Sequence, residues 1–112
     1  MRVIVQFDDA VRPALTAWRD GLAPDPQDAR RLAGVFLDEL KRRLVEAGGL
    51  PLGSAVDGLT TPPTFWCELS GHAWVGYTIA DAGRYFRRER VIRVLDLQPA
   101  PPPSATPSSG RS

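Results

Sequence analysis

The sequence predicts an α+β fold: a two-layer β-α-α-β-β-β domain with an antiparallel four-stranded sheet and a helical hairpin on one face. Three observations predict it. A β-branched segment opens the chain, two helical stripes follow it, and three strand-like segments close it. The last fifteen residues, Gln98 to Ser112, hold five of the eleven prolines, so residues 1–97 are expected to form one small domain, followed by a disordered Pro-rich tail over 98–112. Hydrophobic residues make up 43% of the chain and charged residues 24%, a balance that supplies a core and argues against disorder outside the tail.

In Arg2 to Phe7, Val3, Val5 and Phe7 recur at period two, the pattern of a strand. Asp8 and Asp9 then stand as N-caps for a first helix carrying Ala14, Leu15, Trp18 and Leu22, with Pro13 in its first turn and Gly21 as its stop. A second helix has Asp25 as N-cap, Pro26 at the first helical position, and Ala29, Leu32, Ala33, Phe36, Leu37, Leu40 and Leu44 as an apolar stripe. Gly48 and Gly49 should end it. Asp38 with Arg42 and Glu39 with Arg43 are spaced as i,i+4 ion pairs on its solvent side.

Gly49 to Pro63 has no periodicity and three prolines, and reads as a long loop. Thr64 to Ser70 alternates, with Phe65, Cys67 and Leu69 on one face and Trp66 and Glu68 on the other. Gly71-His72 fits a two-residue hairpin turn into Ala73 to Ala80, where Val75, Tyr77 and Ile79 oppose Trp74, Gly76 and Thr78. Trp66 and Trp74 should therefore share the sheet face away from the helices. Asp81-Ala82-Gly83 is a second turn signal, and Val91 to Leu97 is a last strand, apolar on both faces and expected to have a strand on either side.

No apolar run approaches the 18 or so residues of a membrane span, and no signal-peptide core opens the chain, so a cytoplasmic protein without membrane contact is expected. A single cysteine, Cys67, excludes an internal disulfide and a cysteine-rich metal site, and no cofactor or metal is expected. No glycine-rich loop follows the first strand, where Asp8 and Asp9 would repel phosphate, which excludes a P-loop or Rossmann site.

The net charge is +1, yet residues 81–93 carry five arginines against Asp81 and Glu89. Arg84, Arg87, Arg88, Arg90 and Arg93, interleaved with Tyr85 and Phe86, form the one constellation above background. It reads either as a phosphate-binding patch with aromatic stacking or as a solvated hairpin with Glu89 and Asp81 as ion partners. Arg93 interrupts an apolar strand and so demands a reason. His72 titrates near neutrality and could move a proton, although a hairpin tip is an ordinary place for an exposed histidine. Cys67 alternates with core residues and reads as a small core side chain. Trp66 and Trp74 either bind a partner or lie beneath the long loop.

This element order, with a closing meander of Trp74-Val75-Gly76-Tyr77-Thr78-Ile79 and Arg90-Val91-Ile92-Arg93-Val94-Leu95-Asp96-Leu97, resembles the RelE/ParE superfamily of toxins from type II toxin-antitoxin systems over about residues 1–97. The resemblance implies a toxin neutralised by a cognate antitoxin. RelE-like members cut messenger RNA on the ribosome, and ParE-like members inhibit DNA gyrase. The RelE-like chemistry needs no metal: a base takes the ribose 2′-hydroxyl proton, and cations stabilise the charged phosphate. Here the second strand offers Trp66 and Glu68 where basic residues would serve, and no Lys, His or Tyr follows Leu97. Arg93, His72 and Tyr85 are the remaining catalytic candidates. A non-catalytic interaction domain, holding protein or nucleic acid through Trp66, Trp74 and the arginine hairpin, is the alternative.

Overall fold

A computed structural model describes residues 2–47, 55–71, 73–84 and 87–107. Strand β1 (Arg2–Phe7) leads through a single 3₁₀ turn (Asp9–Val11) into helices α1 (Arg12–Asp20) and α2 (Pro26–Glu46). Strands β2 (Ala55–Asp57), β3 (Thr64–Ser70), β4 (Ala73–Arg84), β5 (Arg87–Gln98) and β6 (Thr106–Pro107) follow. The result is an α+β fold, with two helices against a sheet of order β1-β5-β4-β3-β2-β6, in which β6 is a two-residue edge piece.

The expected four antiparallel strands are corrected in two ways. The supposed loop contains β2, which pairs antiparallel with β3 through Ala55↔Trp66 and Asp57↔Thr64. The first strand, moreover, runs parallel to the last long one, with Ile4 opposite Val91 and Phe7 opposite Val94. The two corrections have one cause. Strand β2 inserts one more chain reversal between the helical hairpin and the β3-β4-β5 meander, which turns β5 from antiparallel to parallel with β1. A three-residue strand is too short to show a period, so sequence pattern alone passes over it.

Helix α2 begins as its sequence dictates: the Asp25 carboxylate accepts the Asp28 N–H at 3.3 Å, and Pro26 occupies the first turn, where no N–H is needed. Its stripe buries Ala29, Ala33, Leu40 and Leu44. Leu40 and Leu44 pack with Cys67, Leu69, Val75, Tyr77, Ile92 and Val94, so period two on the strands and period 3.6 on the helix meet in one core. Burying each such side chain stabilises by about 1.5–3 kcal/mol. Helix α1 closes one end of this core. Its Trp18 ring meets Phe36 edge-on at 6.2 Å and donates its indole N–H to the Ser70 hydroxyl at 3.2 Å.

Local ion pairing departs from simple spacing. Arg42 bonds both Glu39 and Glu46, and holds the Glu39 carboxyl below its ordinary range, while Arg43 turns inward and donates to the Glu68 carbonyl at 2.7 Å. Asp8 makes no side-chain cap bond among the described residues, and Asp9 pairs with Arg12 at 3.0 Å. The expected stop at Gly48 and Gly49 lies outside the described residues. Asp81-Ala82-Gly83 is not a turn: β4 runs on to Arg84, with Gly83 at φ 99° inside the ribbon and paired with Arg88.

The segment after β5 also differs from a free tail. Residues 99–107 cross back over the sheet face that the helices leave open. Thr106–Pro107 pairs antiparallel with β2, and the Ser104 hydroxyl donates to the Asp57 carboxylate at 3.0 Å. Burial is not what ties the segment down; two ladder positions and one charge-assisted hydrogen bond are. Residues 108–112 lie outside the described residues. No helix among the described residues is long and apolar enough to cross a membrane.

Candidate functional site

Strand alternation splits the arginine constellation. Across the β4–β5 ribbon the register sets Gly83 against Arg88, Asp81 against Arg90 and Thr78 against Arg93. Arg88 and Arg90 fall in step with Ile92 and Val94, which face the helices, whereas Arg93 is in step with Glu89 and Val91 on the other side. Five arginines close in sequence therefore do not make one patch. The side chains of Arg84 and Arg87, and the whole of His72, Tyr85 and Phe86, lie outside the described residues.

Carboxylates accompany the arginines that are described. Arg90 Nε bonds Asp81 Oδ1 at 2.8 Å, and Arg2 approaches Glu89 at 3.9 Å. Arg93 is exposed beside a cleft of about 380 Å³ that it lines with Gln6, Phe7, Asp8 and Asp9, at the end of β1. Arg88, also exposed, borders a hollow of about 300 Å³ together with Asp81, Glu89 and Arg90. A phosphate approaching either hollow meets acidic oxygen as well as guanidinium, which weakens the attraction of both.

Trp66 and Trp74 do share the face away from the helices, through a register shift between Glu68 and Ser70 that the two-residue turn alone would not give: Trp66 is opposite Gly76 and Trp74 is opposite Glu68, and neither belongs to the helix-side core. Their surroundings differ. Trp74 is half-buried, whereas Trp66 is 4% exposed, its ring lying over Gly76 so closely that a Cβ there would stand 2.8 Å from it. The Trp66 indole N–H has no hydrogen-bond partner among the described residues, a condition that costs a buried donor about 1–3 kcal/mol.

A cleft of about 370 Å³ adjoins this indole, lined among others by Asp57, Thr64, Leu95, Asp96 and Pro102. Asp57 is 9% exposed and accepts the Leu59 N–H and the Ser104 hydroxyl, each at 3.0 Å. The Asp96 carboxylate takes the Leu97 N–H and the Gln98 amide, each at 2.8 Å. Sequence reasoning missed Asp57, Thr64 and Ser104, because Asp57 meets Thr64 only through the unrecognised strand β2 and Ser104 reaches Asp57 across 47 residues. An apolar indole predicted to face away from the helices was the available signal that something else covers it.

Cys67 is a core side chain. Burial pushes its thiol up to about 11, against a smaller opposing pull from Arg43, so it stays protonated and unreactive at neutral pH. Among the described residues no group of three or more His, Cys, Asp or Glu side chains could hold a metal ion. No protein-family model, curated protein or solved structure matches this chain.

Proposed function

We propose that the chain is a toxin component of the kind the RelE/ParE resemblance implies, held in check by a cognate antitoxin and acting by occupying a protein target such as gyrase rather than by cutting RNA. The observation that carries the second half of this reading is the division of the arginines. Arg93 stands on one face with Asp8 and Asp9 beside it, and Arg88 and Arg90 stand on the other with Asp81. Transfer of a phosphoryl centre asks for cations that converge on one point, and RNA binding asks for a continuous row of them. Two helices against one face of a sheet that ends in a meander support the first half. Protein targets are held by half-buried aromatic anchors, and Trp74 on the open face is the side chain of that kind.

Induced expression, with growth, translation and messenger integrity followed together, tests the reading. Growth should stop while messenger RNA stays intact, and Trp74→Ala should relieve the arrest more than charge reversal at Arg88 or at Arg93. Messenger cleavage that the Arg93 reversal abolishes would place the activity on RNA instead. Growth unaffected by the chain would favour the second reading, a non-catalytic interaction domain, for which the covering of Trp66 by the chain's own residues 99–107 already speaks.

A further inference from the structure

The open face already holds a ligand-like segment. Residues 99–107 carry five prolines and leave β5 at Gln98, pass Trp66 with Pro102 on the rim of its cleft, turn back through an Ala105 N–H to Pro102 carbonyl bond of 2.9 Å, and add two residues to the edge of β2. The devices are those by which proteins take up extended peptides: a strand edge supplying main-chain partners, an aromatic floor for proline, and one carboxylate that fixes a hydroxyl. Asp57 is that carboxylate, itself buried and oriented from behind by the Leu59 N–H. The fit is incomplete. About 370 Å³ of cleft stays unfilled beside Pro102, and the buried Trp66 indole N–H has no acceptor among the described residues.

We propose that the groove formed by the β2 edge, Asp57 and the Trp66 cleft is a binding site for an extended proline-rich peptide with a hydroxyl two residues after a proline, filled in cis by residues 99–107. A loosely fitting cis segment at high effective concentration keeps the groove closed until a partner's segment with better side chains displaces it. The inference does not rest on the toxin reading: peptide displacement reads the groove beside Trp66 and the growth assay reads Trp74 on the same face, and either can fail alone.

The test uses the full chain with a protease site inserted between Pro99 and Ala100, both exposed. After cleavage the fragment from residue 100 onward should remain with the body on a sizing column. It should be released by a synthetic peptide of residues 99–107, and at least tenfold less well by the same peptide carrying Pro102→Gly and Ser104→Ala. Trp66 emission should shift on release and return on peptide binding. Three results would overturn the proposal: a fragment that departs at once with emission unchanged, equal displacement by both peptides, or unfolding of the body on release. The last would make residues 99–107 a structural strand and not a ligand.

Discussion

Gly76 sits where a side chain cannot. An added Cβ would stand 2.8 Å from one atom of the Trp66 ring and 2.9 Å from the next, and the ring is buried, so Gly76→Ala should destabilise by about 1–3 kcal/mol in a denaturant titration. Cys67 gives a pH-dependent counterpart. Its thiol ionises at about 11 in the folded protein and at the ordinary 9.0 in the unfolded chain. The unfolded chain therefore sheds its proton first, so this contribution is intact below about pH 9 and is lost as pH rises to about 11, a change on the order of 2 kcal/mol. A Cys67→Ala variant should show a flatter decline than the parent between pH 9 and 11; equal slopes would show that the thiol titrates freely. That Trp66 and Trp74 share a face is the outcome expected from sequence, but not for the expected reason: a two-residue turn pairing Ser70 with Ala73 would by itself put them on opposite faces, and the register shift between Glu68 and Ser70, which no sequence period announces, sets Glu68 opposite Trp74 and Gly76 opposite Trp66. That Trp66 is covered was not legible in sequence, since Pro102 lies 36 positions further along the chain.

Helix α2 was legible almost to the residue, because its cap, its proline and its stripe are all local signals. Gly34 is the one local conflict in it: exposed, mid-helix, with nothing within 4 Å of an added Cβ. Gly34→Ala should raise stability by about 0.5–1 kcal/mol, through the lost backbone freedom of the unfolded chain. A decrease on thermal melting would show that the position touches something else. The β4–β5 ribbon was misjudged for the opposite reason. Asp81-Ala82-Gly83 has turn composition, but cross-strand pairing from Ala82↔Glu89 to Arg84↔Arg87 carries the ladder past it, and Gly83 absorbs the positive φ within the strand. Asp81 then serves as a partner for Arg90. With one side chain of that pair 73% exposed, Asp81→Ala should cost well under about 1 kcal/mol.

The topology of the whole chain turns on its least conspicuous parts. Strand β2 decides whether β1 and β5 run parallel, and residues 99–107 decide whether the sheet has an open face beside Trp66 or a covered one. Proline-rich composition predicts little burial for that segment, which is correct for Pro99, Ala100, Pro103 and Ser104, all exposed. Attachment comes instead from two ladder positions on β2 and the Ser104 bond to a buried carboxylate. Against these stands the entropy of ordering nine residues, already reduced by five prolines that restrict the unfolded segment. The net should be modest and favourable. Removing residues 99–112 is expected to lower stability by about 1–2 kcal/mol, or about 4–15 °C in Tm for a domain of this size, with the two-state transition retained. Ser104→Ala alone should account for a large part of that loss, because it leaves one oxygen of the buried Asp57 carboxylate without a donor. A truncated chain that melts at the parental temperature, with Ser104→Ala silent, would mean that the segment exchanges freely between the sheet and solvent.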